Sequence, residues 1–125
     1  MKRTTEDYLK TIYLLEKKRC GVRGVDIAEE LNVSRPTVSI ILKRLIEEGY
    51  VTKNEEHEVC LTNDGREIAE STLKKNQMFK ELLTDLGVDE KTAAEDACEM
   101  EHAVSAESFE ALKLLVVKQK GEECL

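Results

Sequence analysis

The sequence has no tryptophan, a single proline (Pro36) and an aromatic content of 4%, while 36% of it is charged. With so few helix breakers and so much charge, the composition favours a largely helical protein and excludes collagen-like and low-complexity chains. Nothing approaches the ~20 consecutive apolar residues of a membrane-spanning helix, and the opening Met-Lys-Arg-Thr-Thr is not followed by an apolar signal core. The expectation is therefore a cytoplasmic chain with no membrane partner. In that compartment the four cysteines, Cys20, Cys60, Cys98 and Cys124, are expected to be reduced, each a buried small hydrophobe or a ligand. A Gly-rich phosphate loop is also missing. The two histidines, His57 and His102, fall in separate elements with no nucleophile–base pairing, which argues against an enzyme and a small-molecule substrate. What remains is 41% hydrophobic residues in 125, enough for a packed core, although a core this small is often completed by oligomerisation.

An excess of positive charge is lacking too: the net charge is −7. It is unevenly placed. Residues 1–62 hold eleven Lys/Arg and eleven Asp/Glu, whereas residues 63–125 hold eight and fifteen and so carry the whole excess. A balanced half joined to an acidic half suits a nucleic-acid reader attached to a regulatory or metal-binding part, although ordinary solvated charge has the same appearance.

Hydrophobic spacing predicts a first helix from Thr4 to about Lys18 on Tyr8, Leu9, Ile12 and Leu15, with Thr4 and Asp7 spaced as a capping box. A second helix runs from Arg23 to Leu31. After a turn at Asn32-Val33, Ser34 caps a third helix to about Glu48, with Pro36 in its first turn. Two β-prone runs, 50–53 and 59–62, read as a hairpin. A long fourth helix extends from Asn63 to about Leu86, a fifth from an Asp89 cap to about Val104, and a sixth from a Ser105 cap, with residues 121–125 expected to fray.

Three helices and a hairpin form the order of a winged helix-turn-helix. Ala28 is small where the second and third helices touch, Val33 is placed to plug the turn, and Val38 and Ile41 seat one helix on the other. A plain three-helix bundle would satisfy part of that pattern. It does not account for the exposed side of the third helix, where Ser34, Arg35, Pro36, Thr37 and Ser39 lie near base-edge reach and Lys43 and Arg44 are suited to phosphates. Lys53 would be a backbone contact from the wing. On the fifth helix Cys98, Glu101 and His102 stand at i, i+3 and i+4, a thiol, a carboxylate and an imidazole on a face shared with Ala94 and Ala97. Spacing leaves two readings open: one metal ion held by all three, or a core cysteine, a Lys-paired glutamate and a satisfied core histidine.

Several runs carry a resemblance: Thr4 to Tyr13 (TTEDYLKTIY), Ile27-Ala28-Glu29, Ser34 to Ser39 (SRPTVS), Leu61 to Gly65 (LTNDG) and Cys98 to His102 (CEMEH). In this order and combination they resemble the iron- and manganese-dependent repressors of the DtxR/MntR family over nearly the whole chain. The resemblance implies a mainly α fold: a winged helix-turn-helix with a small hairpin wing (residues 1–62), then a helical dimerisation and metal-binding domain (residues 63–125). It further implies a homodimer on double-stranded operator DNA, repressing metal-uptake genes, with metal favouring the DNA-competent arrangement. Carried over by position, the ligands are Asp7, Cys98, Glu101 and His102.

Asp7 with Cys98 mixes the family's ligand types. Thiolate favours iron, zinc or cobalt, and hard carboxylates tolerate manganese, so Fe(2+) is favoured, then Mn(2+), with Zn(2+) an expected binder in vitro. The resemblance implies further donors where this chain has Lys10, Asn76, Lys80 and Ala94, two of them cations, so one metal per protomer is expected. Ile40 replaces a polar residue of some relatives. The expected dimer contact is the apolar set Phe109, Leu112 and Val116. The alternative is a metal-independent winged helix with a redox switch at Cys98, against which Glu101 would oppose thiolate formation. A winged helix that binds protein rather than DNA is a further alternative.

Overall fold

The structure is a computed structural model describing residues 3–123, with side chains described as far as residue 116. The order is α1 (Arg3–Lys18), α2 (Gly24–Leu31), α3 (Arg35–Glu47), β1 (Val51–Lys53), β2 (Val59–Leu61), α4 (Asn63–Asp85), α5 (Glu90–Ala103) and α6 (Ala106–Glu123). This is the expected class, a winged helix-turn-helix with a hairpin followed by helices. Among the described residues no helix is long and apolar enough to cross a membrane. The chain divides into two compact units, residues 1–71 and 72–125.

In the first unit every element contributes to one core. α1 buries Tyr8, Leu9, Ile12 and Leu15, α2 Ile27 and Ala28, α3 Val38, Leu42 and Leu45, and the hairpin Val51, Val59 and Leu61. The strands are antiparallel with Val51 opposite Leu61 and Lys53 opposite Val59. Alternation along β2 sends Val59 and Leu61 inward and Cys60 outward. The hairpin lacks Asn-Gly and closes another way: Asn54 Oδ1 accepts from the backbone N–H of Glu56 (3.0 Å) and Glu58 (2.9 Å). Thr62 then ties the wing to α4. Its hydroxyl donates to the Gly49 carbonyl (2.7 Å) and accepts from the Gly65 N–H (3.1 Å). Gly65 is required here, because a Cβ would meet the Tyr50 carbonyl oxygen at 2.1 Å.

The second unit has a smaller core of Phe79, Ala97 and Phe109, with Met78, Met100 and Val104 half-buried around it. The two rings meet edge to face, centroids 6.2 Å apart at 72°. Asp89 caps α5 by accepting from the Thr92 N–H (3.1 Å), and the Lys75 ammonium donates to the Val104 carbonyl (3.0 Å) at its other end.

Four local expectations are corrected. Helix α1 starts at Arg3, so Thr4 lies inside the first turn and is not the cap. Val33 is 38% exposed and does not plug the turn; the turn is made by Asn32 in the left-handed conformation (φ 55), with the Val33 N–H donating to the Ala28 carbonyl (3.1 Å). Cys20, Cys60 and Cys98 are all exposed and none is core filler, while Cys124 lies outside the described residues. Helix α6 runs through Gly121 to Glu123, where fraying was expected; residues 124 and 125 lie outside the described residues.

Candidate functional site

Helix α3 is built to present one face. The Ser34 hydroxyl accepts from the Thr37 N–H (3.3 Å) and pairs with the Thr37 hydroxyl (2.8 Å), while Pro36 takes a first-turn position where no N–H is needed. Ser34, Arg35, Pro36, Thr37, Ser39 and Lys43 are all exposed, as is Lys53 at the end of β1. Arg44 is placed differently from the others. It is half-buried, donating to the Thr5 hydroxyl of α1 (3.2 Å) and pairing through Nε with Glu48 (3.2 Å). Its guanidinium therefore braces α3 against α1. The sequence gives little sign of this, since Thr5 lies 39 residues away. Beside it, burial raises the Tyr8 phenol above its ordinary value, with the Arg44 charge opposing.

Helix α5 carries the donor residues. Glu101 is 0% exposed, in the stripe of Ala93 and Ala97, which are also buried. His102 follows with its side chain 6% exposed, and its Nε2 lies 3.2 Å from Glu101 Oε1. Cys98 points elsewhere: it is exposed, and its sulfur accepts from Asn76 Nδ2 at 3.6 Å. The donor atoms of Cys98, Glu101 and His102 do not all lie within 4.8 Å of one another. In the first unit Asp7 is half-buried on α1, with a carboxylate oxygen 3.9 Å from Arg3 Nε.

These residues suit a divalent transition metal. A carboxylate wholly withdrawn from water is costly without positive charge or donors to compensate it, and an imidazole nitrogen beside a carboxylate oxygen offers two donors in one turn of helix. At the positions where the resemblance implies further donors, Lys80 forms an ion pair with Glu90 (4.0 Å), and Ala94 has no donor atom. On α6, Phe109 is engaged with Phe79 inside the unit, Leu112 is 37% exposed and Val116 half-buried. Leu114 (73%) and Leu115 (53%) are more exposed still, and sequence spacing did not single them out as surface residues.

Comparison with known proteins gives these residues a setting. Residues 1–59 match the N-terminal DNA binding domain of iron dependent repressors, and residues 62–120 match the metal binding and dimerisation domain of the same family. The chain is 38% identical over 124 residues to an uncharacterized HTH-type transcriptional regulator of Methanocaldococcus jannaschii, covering 98% of this chain and 99% of that one. It is 37% identical over 105 residues to the diphtheria toxin repressor of Corynebacterium diphtheriae, covering 83% of this chain and 46% of that protein. The solved structure of the manganese regulator SloR superposes with a TM-score of 0.78 at 32% identity, over 93% of this chain and 54% of that one. The chain thus spans about half the length of these two better-known relatives and nearly all of the first. The thiol-switch alternative finds no support among these relatives. The chain belongs to the iron-dependent repressor family, whose members are metal-dependent DNA-binding transcriptional regulators and not enzymes.

Proposed function

We propose that this chain is a cytoplasmic repressor of metal-uptake genes that grips double-stranded operator DNA as a homodimer when each protomer holds one divalent transition metal. The observation that carries this reading is the buried Glu101 carboxylate beside the His102 imidazole on α5, Nε2 to Oε1 3.2 Å. Asp7 supplies the ligand from the first helix. Cys98 would complete the set through its thiol. The DNA-reading part is residues 1–62 and the metal-binding and dimerisation part residues 63–125.

The metal supplies a positive charge that holds anionic and neutral donors together. The chain's own residues do the rest. Asp7 shares α1 with Thr5, the partner of Arg44, so fixing the start of α1 also steadies the base of the recognition helix α3. Ser34, Arg35, Pro36, Thr37 and Ser39 then face base edges, and Lys43, Arg44 and Lys53 face phosphates. Metal favours this state to the extent that it binds it better than the alternatives. A Cys98 thiolate in the set favours Fe(2+), with Mn(2+) next and Zn(2+) binding in vitro. Lys10, Asn76, Lys80 and Ala94 hold the count to one ion.

The test is a titration of a fluorescent promoter fragment with and without Fe(2+), Mn(2+) or Zn(2+), comparing wild type with His102→Ala. Metal is expected to tighten binding by wild type alone. Equal affinities across all metals and both proteins would contradict the switch.

A further inference from the structure

Ile40 is 69% exposed, more than any other large aliphatic residue described in the first unit, where Leu14, Val33 and Ile46 reach 41%, 38% and 39%. Single exposed aliphatics are common and ordinarily need no account, but this one has a particular position. At about 100° per residue it lies about 200° around α3 from Val38, nearly opposite the stripe of Val38, Leu42 and Leu45 that enters the core. It is therefore at the centre of the outward face, with Pro36 one turn before it and Lys43 one turn after.

The neighbours narrow what it can do. The Ser34 and Thr37 hydroxyls are engaged with each other and with the helix cap, and the Arg44 guanidinium is engaged with Thr5 and Glu48. Polar side chains thus surround it, two of them already engaged in the cap, leaving an aliphatic side chain in the middle. An isoleucine makes no hydrogen bond to a base and has no attraction to phosphate. The apolar group that base edges present in the major groove is the thymine C5-methyl. Against cytosine or guanine the same side chain would cover a donor or acceptor without replacing its hydrogen bond to water.

We propose that Ile40 is a specificity-determining residue that packs on one thymine methyl in each operator half-site. This rests on the reading of α3 as the DNA-facing helix.

The experiment uses duplexes selected by the wild-type protein from a random-sequence pool in the presence of Mn(2+). Each thymine of one half-site is then replaced in turn by deoxyuridine, which lacks only the methyl. Wild type should lose about four-fold in affinity at one position, the scale of burying a single methyl group, and Ile40→Ala should lose nothing there. A second selection with Ile40→Gln should relax or change the preferred base at that position alone. If no thymine-to-uracil change separates wild type from Ile40→Ala, while wild type still binds in a metal-dependent way, the role of Ile40 is wrong and the repressor reading stands. If wild type selects no duplex with or without metal, both fall.

Discussion

The two units solve the same packing problem to different degrees. In residues 1–71 three helices and a hairpin close on one core, with Leu9, Ile12, Ile27 and Leu45 at 0% exposure. In residues 72–125 the buried hydrophobic residues among those described are only Phe79, Ala93, Ala97 and Phe109, while Leu112, Leu114 and Leu115 of α6 remain 37–73% exposed. The first unit is thus satisfied by its own side chains. The second carries apolar surface with few internal partners, as expected of a unit whose family match is a metal binding and dimerisation domain.

The widest gap between them should appear on truncation. Leu42→Ala, at a position 2% exposed, is expected to cost about 2–5 kcal/mol in urea unfolding. Leu114→Ala, at 73%, should cost no more than about 0.5 kcal/mol in the monomer. Similar losses at the two sites would break the contrast. Association should reverse the order. Burial of a leucine at a contact between copies is worth roughly 1.5–3 kcal/mol, so Leu115→Glu should weaken the dimer by about ten-fold or more in sedimentation equilibrium, with thermal unfolding of the first unit unchanged. Unchanged dimer affinity would remove α6 from the interface.

Within the first unit the wing junction gives the next effect. Gly65→Ala places a methyl 2.1 Å from the Tyr50 carbonyl oxygen, and the forced backbone shift is expected to cost about 1–3 kcal/mol in thermal or urea unfolding. The smallest effect concerns Asp26. Its carboxyl is held below its ordinary value by the Arg23 N–H (2.9 Å) and, less strongly, by Arg19. A lowered folded pKa means a contribution fully present above the unfolded value of about 3.9 and lost as pH falls through the folded value. Asp26→Asn should therefore lower stability slightly at neutral pH and leave the mutant and wild type alike at strongly acid pH. A difference that persists at low pH would point to packing.

Most of the first unit was legible in the sequence because its signals are local. Helical spacing, the Ser34 cap and the Gly49 stop depend on residues within one or two turns, and all formed as expected. Val33 was misread because an apolar residue in a turn suggests burial, yet the Asn32 backbone makes the turn unaided. Charge and position on α3 suggest Arg44 as a phosphate contact, and no local signal shows its contact with Thr5, 39 residues away. For the donor residues, spacing correctly grouped Glu101 with His102 on one turn. It did not reveal that Cys98, three residues earlier, falls outside the stripe that buries Ala97 and Glu101. Helical periodicity places residues on a face, but side-chain torsions and neighbours such as Asn76 decide where a sulfur ends up.

In the function proposed above, one metal held through Glu101 and His102 is coupled to the grip on DNA. Coupling of binding free energies is reciprocal. The most direct measurement is therefore the affinity for Mn(2+), by isothermal titration, of the protein alone and of the protein with a saturating operator duplex. DNA is expected to tighten metal binding by the same factor by which metal tightens DNA binding, and Glu101→Gln to abolish both. Equal Mn(2+) affinities with and without DNA would contradict it.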